Sequence, residues 1–270
     1  MTFSILIAHY NNWEYFQECY ESINQQTYKD YEIVIVDDFS TDNSYEKLQK
    51  LASRDSKLRL FQNSENKKVG YTKRRCVEEA KGVICGFLDP DDMLSPTALE
   101  DVINVYKTGT NCVATYSKIK LIDKNSKEIG DFKFTKRISK YSQLFFNINF
   151  EVAHFFTFKK NVYDNTEGIN ISLIISEDQD LYLKLYELGN FHYINSFQYY
   201  YRIHENGISQ NKGKSEQQKS DWHNVLLDTC KRRRIKKLYG KEVNSIENLP
   251  QFIFENENTI IKKILRKLKW

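Results

Sequence analysis

Three carboxylates, Asp89, Asp91 and Asp92, lie within four residues of one another, directly after the apolar run Val83–Leu88. Carboxylates this close together repel one another unless a cation offsets their charge. Oxygen-rich clusters suit Mg²⁺ or Mn²⁺, and such an ion can bridge to phosphate groups. The cluster therefore indicates either a divalent metal site facing a phosphorylated ligand or an acidic turn before a helix capped by Ser95.

A second acidic pair, Asp37 and Asp38, follows the apolar run Glu32–Val36. A carboxylate at the end of a strand can accept a hydrogen bond from a nucleobase imide or a ribose hydroxyl. Capping of the next helix explains the nearby Ser40 and Asp42 well, but it explains the pair itself less well. The pair is therefore a candidate contact for a nucleotide.

A third acidic position is Asp178. It lies in the first turn of a predicted helix over Glu177–Leu188, on the side of Leu181 and Leu185. A helix N-terminus favours the ionised form, which could take a proton from an attacking hydroxyl group. Helix capping is the alternative explanation when this residue is considered alone. His204, considered alone, is equally well explained as a structural histidine.

The elements that would position these side chains alternate along the first ninety or so residues. Apolar runs predict strands over Phe3–Ala8, Tyr31–Val36, Leu58–Phe61 and Val83–Leu88, and helical patterns lie between them over 13–25, 42–54 and 70–81. This alternation predicts an α/β fold with a parallel sheet covered by helices. Ligands bind at the carboxyl edge of such sheets, where the acidic residues are expected.

The second half of the sequence is less regular. It predicts a helix from Ser95 to about Tyr106, a strand over Val113–Ile122 with a hairpin after it, a strand over Phe155–Phe158 and a last strand over Phe197–Tyr201. From about Lys214 onward the pattern is helical and basic.

Composition excludes several classes of protein. The chain has 270 residues, of which 40% are hydrophobic and 28% are charged, so it can bury a core. A net charge of +4 is too small to predict a nucleic-acid partner. The five cysteines include no CxxC pair, so we expect a reducing, cytoplasmic setting without a disulfide framework or zinc cage. No apolar stretch is long enough for a transmembrane helix, and neither GxGxxG nor a P-loop is present.

Five segments resemble, in order and spacing, the motifs of family 2 glycosyltransferases. They are Ser4–Asn11, Ile35–Asp42, Phe87–Asp92, Glu177–Leu181 and Tyr200–Asn206, and the resemblance covers roughly residues 3–210. It implies a GT-A fold, which is the Rossmann-like fold of nucleotide-diphospho-sugar transferases, with a mostly parallel central sheet. We expect a GT-A domain over 1–213, with a nucleotide-sugar half over 1–95 and an acceptor half over 96–213, and a basic helical extension over 214–270.

The resemblance also implies a role for each motif residue. Nucleotide-binding residues would be Ala8, Tyr10, Asn11, Asp38, Lys73 and Asp89; metal ligands would be Asp91, Asp92 and His204; and Asp178 would be the catalytic base. The cofactor would be Mn²⁺ or Mg²⁺. Lys73 belongs to a Lys-Arg-Arg triplet where related sequences often carry Arg-Asn, and the sequence leaves open which of the three faces the nucleotide.

The function that the resemblance implies is metal-dependent, inverting transfer of a sugar from a nucleotide diphosphate to a glycan or lipid-linked acceptor in cell-surface polysaccharide biosynthesis. We expect the nucleotide diphosphate to be UDP. The basic C-terminal helix, with Ile261, Ile264, Leu265 and Leu268 on one face, suits peripheral contact with the inner face of a membrane, although a helix docked on the domain is the alternative. A phosphohydrolase with Asp89 as nucleophile and a non-catalytic membrane-associated partner are the rival functions. The transferase interpretation requires the acidic motifs and His204 to share a single pocket.

Overall fold

The computed structural model describes residues 1–108, 111–138, 141–205, 207 and 215–259. Its strands are β1 (Phe3–His9), β2 (Tyr31–Asp37), β3 (Leu58–Gln62), β4 (Ile84–Phe87), β5 (Met93–Leu94), β6 (Cys112–Ile122), β7 (Glu128–Phe132), β8 (Thr157–Lys159), β9 (Asn190–Arg202), β10 (Lys237–Leu238) and β11 (Lys241–Glu242). Its helices are α1 (Trp13–Asn24), α2 (Ser44–Ala52), α3 (Lys68–Glu79), α4 (Ala98–Lys107), α5 (Lys160–Tyr163), α6 (Glu177–Tyr186), α7 (Ser215–Arg232) and α8 (Leu249–Glu257).

The first half forms the predicted repeat of strands and helices. Strands β3, β2, β1 and β4 lie side by side in that order and are parallel throughout. Strands β1, β2 and β4 are buried on both faces, which explains why they appear in the sequence as continuous apolar runs. Their carboxyl ends therefore meet at one edge of the sheet, where Asp38 and Asp89 follow the strands.

The second half makes the sheet mixed rather than mostly parallel. Strand β8 lies between β4 and β6 and is antiparallel to both, β6 is parallel to β9, and β5 and β7 add antiparallel pairs. An antiparallel neighbour needs no crossover helix, so the irregular chain that precedes β8 can lead into it directly. Strand β9 begins at Asn190, before the predicted start at Phe197. Its first residues mix polar and aromatic side chains, so no apolar run indicated a strand there.

Helix α4 begins later than the sequence predicts. Its first residue is Ala98, after Thr97, whereas a Ser95 cap was expected. The backbone N–H of Ser95 instead donates to the Gln198 carbonyl at 2.9 Å, and its hydroxyl donates to the Gln198 side chain at 2.7 Å. Pairing with β9 therefore occupies the serine that was expected to cap the helix.

The C-terminal region packs on the rest of the chain through an apolar cluster. Buried side chains of α7 and α8, including Leu226 and Ile253, meet Phe146, Leu173 and Leu183 in this cluster. The hairpin formed by β10 and β11 separates the two helices, so the region is not helical throughout. No helix in the described part of the chain is both long and apolar enough to cross a membrane.

Part of the basic C-terminal sequence forms internal ion pairs. Arg232, the last residue of α7, and Arg233 directly after it each place a guanidinium nitrogen 2.9 Å from the carboxylate of Glu187, which follows α6. Arg233 is nearly fully buried and also donates to two backbone carbonyls. These two arginines therefore join α7 to α6. The predicted amphipathic face over 261–268 and the predicted domain boundary at 213 lie outside the described residues.

Candidate functional site

A cavity of about 1160 Å³ opens at the carboxyl edge of the parallel strands. All ten residues to which the family resemblance assigns a role line it: Ala8, Tyr10, Asn11, Asp38, Lys73, Asp89, Asp91, Asp92, Asp178 and His204. The parallel arrangement of β1, β2 and β4 collects the first group, while α6 and the end of β9 bring the last two from the second half. The fold therefore brings the separate motifs into one place.

Asp38 lies at the end of the cavity formed by the loops after β1 and β2. Its Oδ1 accepts hydrogen bonds from Asn63 Nδ2 at 2.7 Å and from the Lys67 backbone N–H at 2.8 Å, and its Oδ2 accepts from the Lys68 backbone N–H at 2.9 Å. The carboxylate thus orders the start of α3, and Oδ2 retains capacity for a further hydrogen bond.

Asp37 has a structural role instead. This fully buried carboxylate accepts hydrogen bonds from Ser40 and Gln62 and lies 3.2 Å from His9 Nδ1. Burial alone would raise its pKa, but the bonds from His9 and Ser40 outweigh burial and lower it. Of the acidic pair, only Asp38 lines the cavity.

The loop after β1 is tied to the loop after β2 by Asn11. Its Oδ1 accepts from the backbone N–H groups of Thr41 and Asp42 at 2.8 and 3.3 Å, and its φ of +48° lies in the left-handed region. Beside it, Tyr10 is 43% exposed and Ala8 is half-buried. Asn11 therefore shapes this wall, while Tyr10 offers an accessible ring.

Lys73 lies among carboxylates that come from both halves. Its Nζ is 2.8 Å from Glu177 Oε1, 2.9 Å from Asp178 Oδ1 and 3.6 Å from Asp89 Oδ1, and the side chain is only 3% exposed. Three carboxylates around one buried ammonium form a charge network that joins α3 to α6. Within this network, Lys73 contacts the residue expected to act as base.

The other two members of the basic triplet face elsewhere. Arg74 pairs with Glu78 on its own helix, and Arg75 donates to the Gln62 carbonyl and to Asn63 Oδ1. Of the three, only Lys73 lines the cavity, so it is the member of the triplet placed to approach a ligand bound there.

The pKa values of Glu177 and Asp178 shift in opposite directions although both side chains contact Lys73. Burial raises the pKa of Glu177 to about 7, because it outweighs the attraction of Lys73. Burial also opposes ionisation of Asp178, but Lys73 outweighs it there and lowers the pKa below its ordinary value. The negative charge of Asp178 adds to the rise in the pKa of Glu177, whereas His154 adds to the lowering of the pKa of Asp178. Asp178 is therefore ionised at neutral pH, as a proton acceptor requires.

Asp91 of the acidic cluster is in direct contact with His204, which follows β9. His204 Nε2 lies 2.8 Å from Asp91 Oδ2, and the imidazole packs on the Tyr15 ring with centroids 4.7 Å apart. His204 Nδ1 is buried and has no hydrogen-bond partner among the residues that the structure describes. The pair thus places one oxygen donor and one nitrogen donor side by side.

Asp92 is buried beneath this pair and is engaged by protein donors. Its Oδ1 accepts from the Arg202 backbone N–H at 2.8 Å, and its Oδ2 accepts from the Tyr199 hydroxyl at 2.7 Å. Burial, followed by the charges of Asp91 and Asp89, raises its pKa well above the ordinary value. Asp92 therefore anchors the end of β9 against the acidic cluster.

The side-chain ligand atoms present in the cavity fit a divalent ion that takes its remaining ligands from a substrate. Asp91 and His204 supply two protein donors, and in the described ranges no group of three or more His, Cys, Asp or Glu side chains is arranged as a complete metal site. Mg²⁺ usually binds through one or two protein ligands together with phosphates and water. The negative charge shared by Asp89, Asp91 and Asp92 would also be relieved by a cation.

Two residues that line the cavity, His154 and Glu177, were not among the predicted site residues. His154 Nε2 lies 4.0 Å from Asp89 Oδ2, and its ring stacks on Tyr199 with centroids 5.0 Å apart. A single histidine in an irregular segment carries no sequence signal. Glu177, by contrast, belongs to a recognised motif, and its contact with Lys73 depends on helices far apart in sequence.

Comparison with known proteins identifies the family. The model described as Glycosyl transferase family 2 matches residues 4–166, which is more than half of the chain. The UDP-Glc:alpha-D-GlcNAc-diphosphoundecaprenol beta-1,3-glucosyltransferase WfaP of Escherichia coli is 31% identical over 215 residues, which are 78% of this chain and 81% of that protein. The chain belongs to glycosyl transferase family 2 and is a glycosyltransferase, as its motifs predicted. The phosphohydrolase and the non-catalytic partner are therefore set aside.

Other similar proteins are longer than this chain. Chondroitin synthase of Escherichia coli is 30% identical over 93% of this chain but only 36% of its own length, and hyaluronan synthase of Pasteurella multocida is 27% identical over 93% and 25%. The chain thus spans about a third or less of these two relatives. Among solved structures, S. aureus TarS 1-349 in complex with UDP-GlcNAc superposes with a TM-score of 0.70 at 22% identity, covering 85% of this chain and 66% of TarS. This likeness confirms the α/β GT-A fold.

Proposed function

We propose that the protein transfers a sugar from a UDP-sugar to a hydroxyl group of a glycan or lipid-linked saccharide, with inversion at the anomeric carbon. The observation that carries this proposal is the convergence of Asp38, the Asp91–His204 pair and Asp178 in a single cavity. The WfaP relative is named for a UDP-glucose donor and a diphospholipid-linked GlcNAc acceptor, and the TarS structure contains UDP-GlcNAc. These names support a donor and an acceptor of the same chemical classes here.

In this mechanism the donor lies across the carboxyl edge of the sheet. Asp38 accepts a hydrogen bond from the nucleoside, and Tyr10 lies beside it. Asp91 and His204 would hold Mn²⁺ or Mg²⁺, which offsets negative charge on the leaving diphosphate when it is bound. Asp92 is 1% exposed and both of its oxygens accept hydrogen bonds from β9, so we assign it to positioning β9 instead of to metal binding.

Asp178 performs the proton transfer. The acceptor hydroxyl oxygen forms a bond to the anomeric carbon as the bond from that carbon to the diphosphate breaks, and the hydroxyl proton passes to Asp178. The electron pair of the broken bond leaves with UDP. Lys73 keeps Asp178 ionised before the step and offsets part of the cluster charge. A single displacement of this kind inverts the anomeric configuration.

Synthesis of cell-surface polysaccharide is the setting that we propose, since two of the relatives are named chondroitin synthase and hyaluronan synthase. The predicted membrane contact at the inner face stays a prediction, because the residues that would make it lie beyond position 259.

The proposal is tested by incubating the protein with Mn²⁺ and a panel of UDP-sugars and measuring release of UDP, with p-nitrophenyl phosphate as a phosphatase substrate. We expect UDP release and no phosphate-ester hydrolysis. Loss of a direct ligand in Asp91→Ala should weaken Mn²⁺-dependent UDP binding by about 100-fold. The control Asp164→Ala removes an exposed carboxylate directly after α5 and should leave binding unchanged. UDP binding that is the same with and without Mn²⁺ in the unmutated protein would contradict the metal assignment.

A further inference from the structure

Helix α7 contributes to the cavity although it follows the recognised motifs. Gln218 and Trp222 line the cavity, and their spacing of four residues places them on the same face of the helix. The Trp222 ring packs against Phe150 with centroids 5.3 Å apart. The family model ends at residue 166, so neither Gln218 nor Trp222 falls in the matched segment.

A buried carboxylate attaches α7 to the loop that leads to Asp178. Asp221 is 4% exposed, and its Oδ2 accepts from the backbone N–H groups of Ile174 and Ile175 at 3.0 and 2.9 Å. The chain then passes through Ser176, whose φ is +71°, into the first turn of α6. Asp221 thus fixes the distance between α7 and the proposed base.

The cavity wall near α7 differs in chemistry from the nucleotide end. Apolar side chains line the cavity beside this helix: Phe150 packs against Trp222, and Ile174 and Ile175 donate their backbone N–H groups to Asp221. Trp222 Nε1 is buried and has no hydrogen-bond partner within the described part of the chain, so it is an unsatisfied donor at this wall. A pyranose ring combines apolar C–H faces with hydroxyl groups, and it fits a wall made of flat rings and a few polar groups.

We propose that α7 forms the subsite for the acceptor sugar. Trp222 packs against one face of a pyranose ring, Gln218 binds one of its hydroxyls, and Asp221 positions this wall relative to Asp178. The inference rests on the proposed function, because it names the class of molecule that the same site receives opposite the donor. The helical extension is thereby part of the transferase site.

The experiment measures UDP release from a UDP-sugar in water alone and in the presence of each of four methyl β-pyranosides: glucoside, galactoside, N-acetylglucosaminide and glucuronide. In Trp222→Leu the flat ring is lost and apolar volume is largely kept, so we expect the KM for the stimulating pyranoside to rise about tenfold. Gln218→Ala changes an exposed side chain and should raise the same KM about threefold. The donor KM should change far less than the pyranoside KM in both variants. Lys231→Gln, on the exposed side of α7, is the control and should change neither constant.

The outcomes separate this inference from the proposed function. If the unmutated protein binds no UDP-sugar, the proposed function fails. If it releases UDP but none of the four pyranosides stimulates release, or if both variants keep the pyranoside KM, the acceptor subsite is overturned and donor binding stands. Should Trp222→Leu fail to fold in a thermal unfolding measurement, Gln218→Ala alone decides.

Discussion

The two halves of the molecule hold their functional side chains by different means. In the first half, Asp38 and Asp89 follow parallel strands, and Asp38 accepts from backbone N–H groups of the same half, 29 and 30 residues further along the chain. In the second half, Asp178 and His204 depend on partners far away in sequence, since Asp178 pairs with Lys73 across 105 residues. The proposed donor site is thus formed within one half of the chain, whereas the proposed catalytic side depends on packing between the two halves.

Lys73 and Asp92 are the points at which the two halves are joined chemically. Lys73 connects α3 to the start of α6, and Asp92 connects the acidic cluster to the end of β9. Both side chains are buried, and each bonds to groups of the opposite half. Substitutions at or near these junctions therefore distinguish a residue that performs chemistry from one that only holds the halves together.

The largest effect is expected from Asp178→Asn. The amide keeps the volume of the side chain but cannot accept the proton, so we expect turnover to fall by about 10²- to 10⁴-fold with UDP binding nearly unchanged. Glu177→Gln is the matched comparison, because Glu177 contacts the same lysine. Its turnover should fall far less. A larger loss in Glu177→Gln, measured by UDP release, would transfer the role of base to Glu177.

Removal of the charge that joins the halves should reduce stability. Lys73→Met leaves three carboxylates without their buried cation, and we expect a loss of about 3 kcal/mol in the free energy of unfolding at neutral pH. The pKa of Asp178 should rise once Lys73 is gone, so the acid limb of the pH–rate profile should move to higher pH.

The sign of the pH dependence follows from the lowered pKa of Asp178 in the folded protein. The stability that this ion pair contributes is present above the unfolded pKa of Asp178 and is lost as the pH falls through the lower folded pKa. The difference in stability between wild type and Lys73→Met, measured by urea unfolding, should therefore shrink in acid. Lys219→Met removes an exposed pair and should cost less than about 0.5 kcal/mol. A constant difference from neutral pH to acid would contradict the pairing.

A smaller effect is expected at the attachment of α7. Asp221→Ala leaves the Ile174 and Ile175 backbone N–H groups without an acceptor, and we expect turnover to fall about tenfold with the KM for the UDP-sugar unchanged. Asp228→Ala, on the same helix, removes a pair with Arg232 and should keep turnover near wild type. A lower unfolding temperature in Asp221→Ala with normal turnover would show that this carboxylate only supports the fold.

The first half could be predicted because its information is local. Apolar runs located β1 to β4, and Tyr10, Asp38 and Asp89, which follow β1, β2 and β4, line the shared cavity. The mixed second half could not be predicted in the same way. The early start of β9 lies in a stretch of mixed polarity, and the β10–β11 hairpin lies inside a basic sequence that suggested a helix.

Contacts between distant residues account for the rest of what the sequence did not show. Asp92 belongs to a recognised acidic motif. Only the position of β9 reveals that the Tyr199 hydroxyl and the Arg202 backbone N–H donate hydrogen bonds to its carboxylate. Trp222 and Asp221 lie in a segment without a motif, and their relation to Asp178 depends on the packing of α7 against α6. No spacing in the sequence encodes that packing.

The most direct test of the central claim is proton NMR of the sugar released when an α-linked UDP-sugar is hydrolysed slowly in the absence of an acceptor. Attack by water guided by Asp178 in a single displacement predicts UDP and the β-anomer as first products, before mutarotation. The α-anomer as first product, or UMP with a sugar 1-phosphate, would contradict the account.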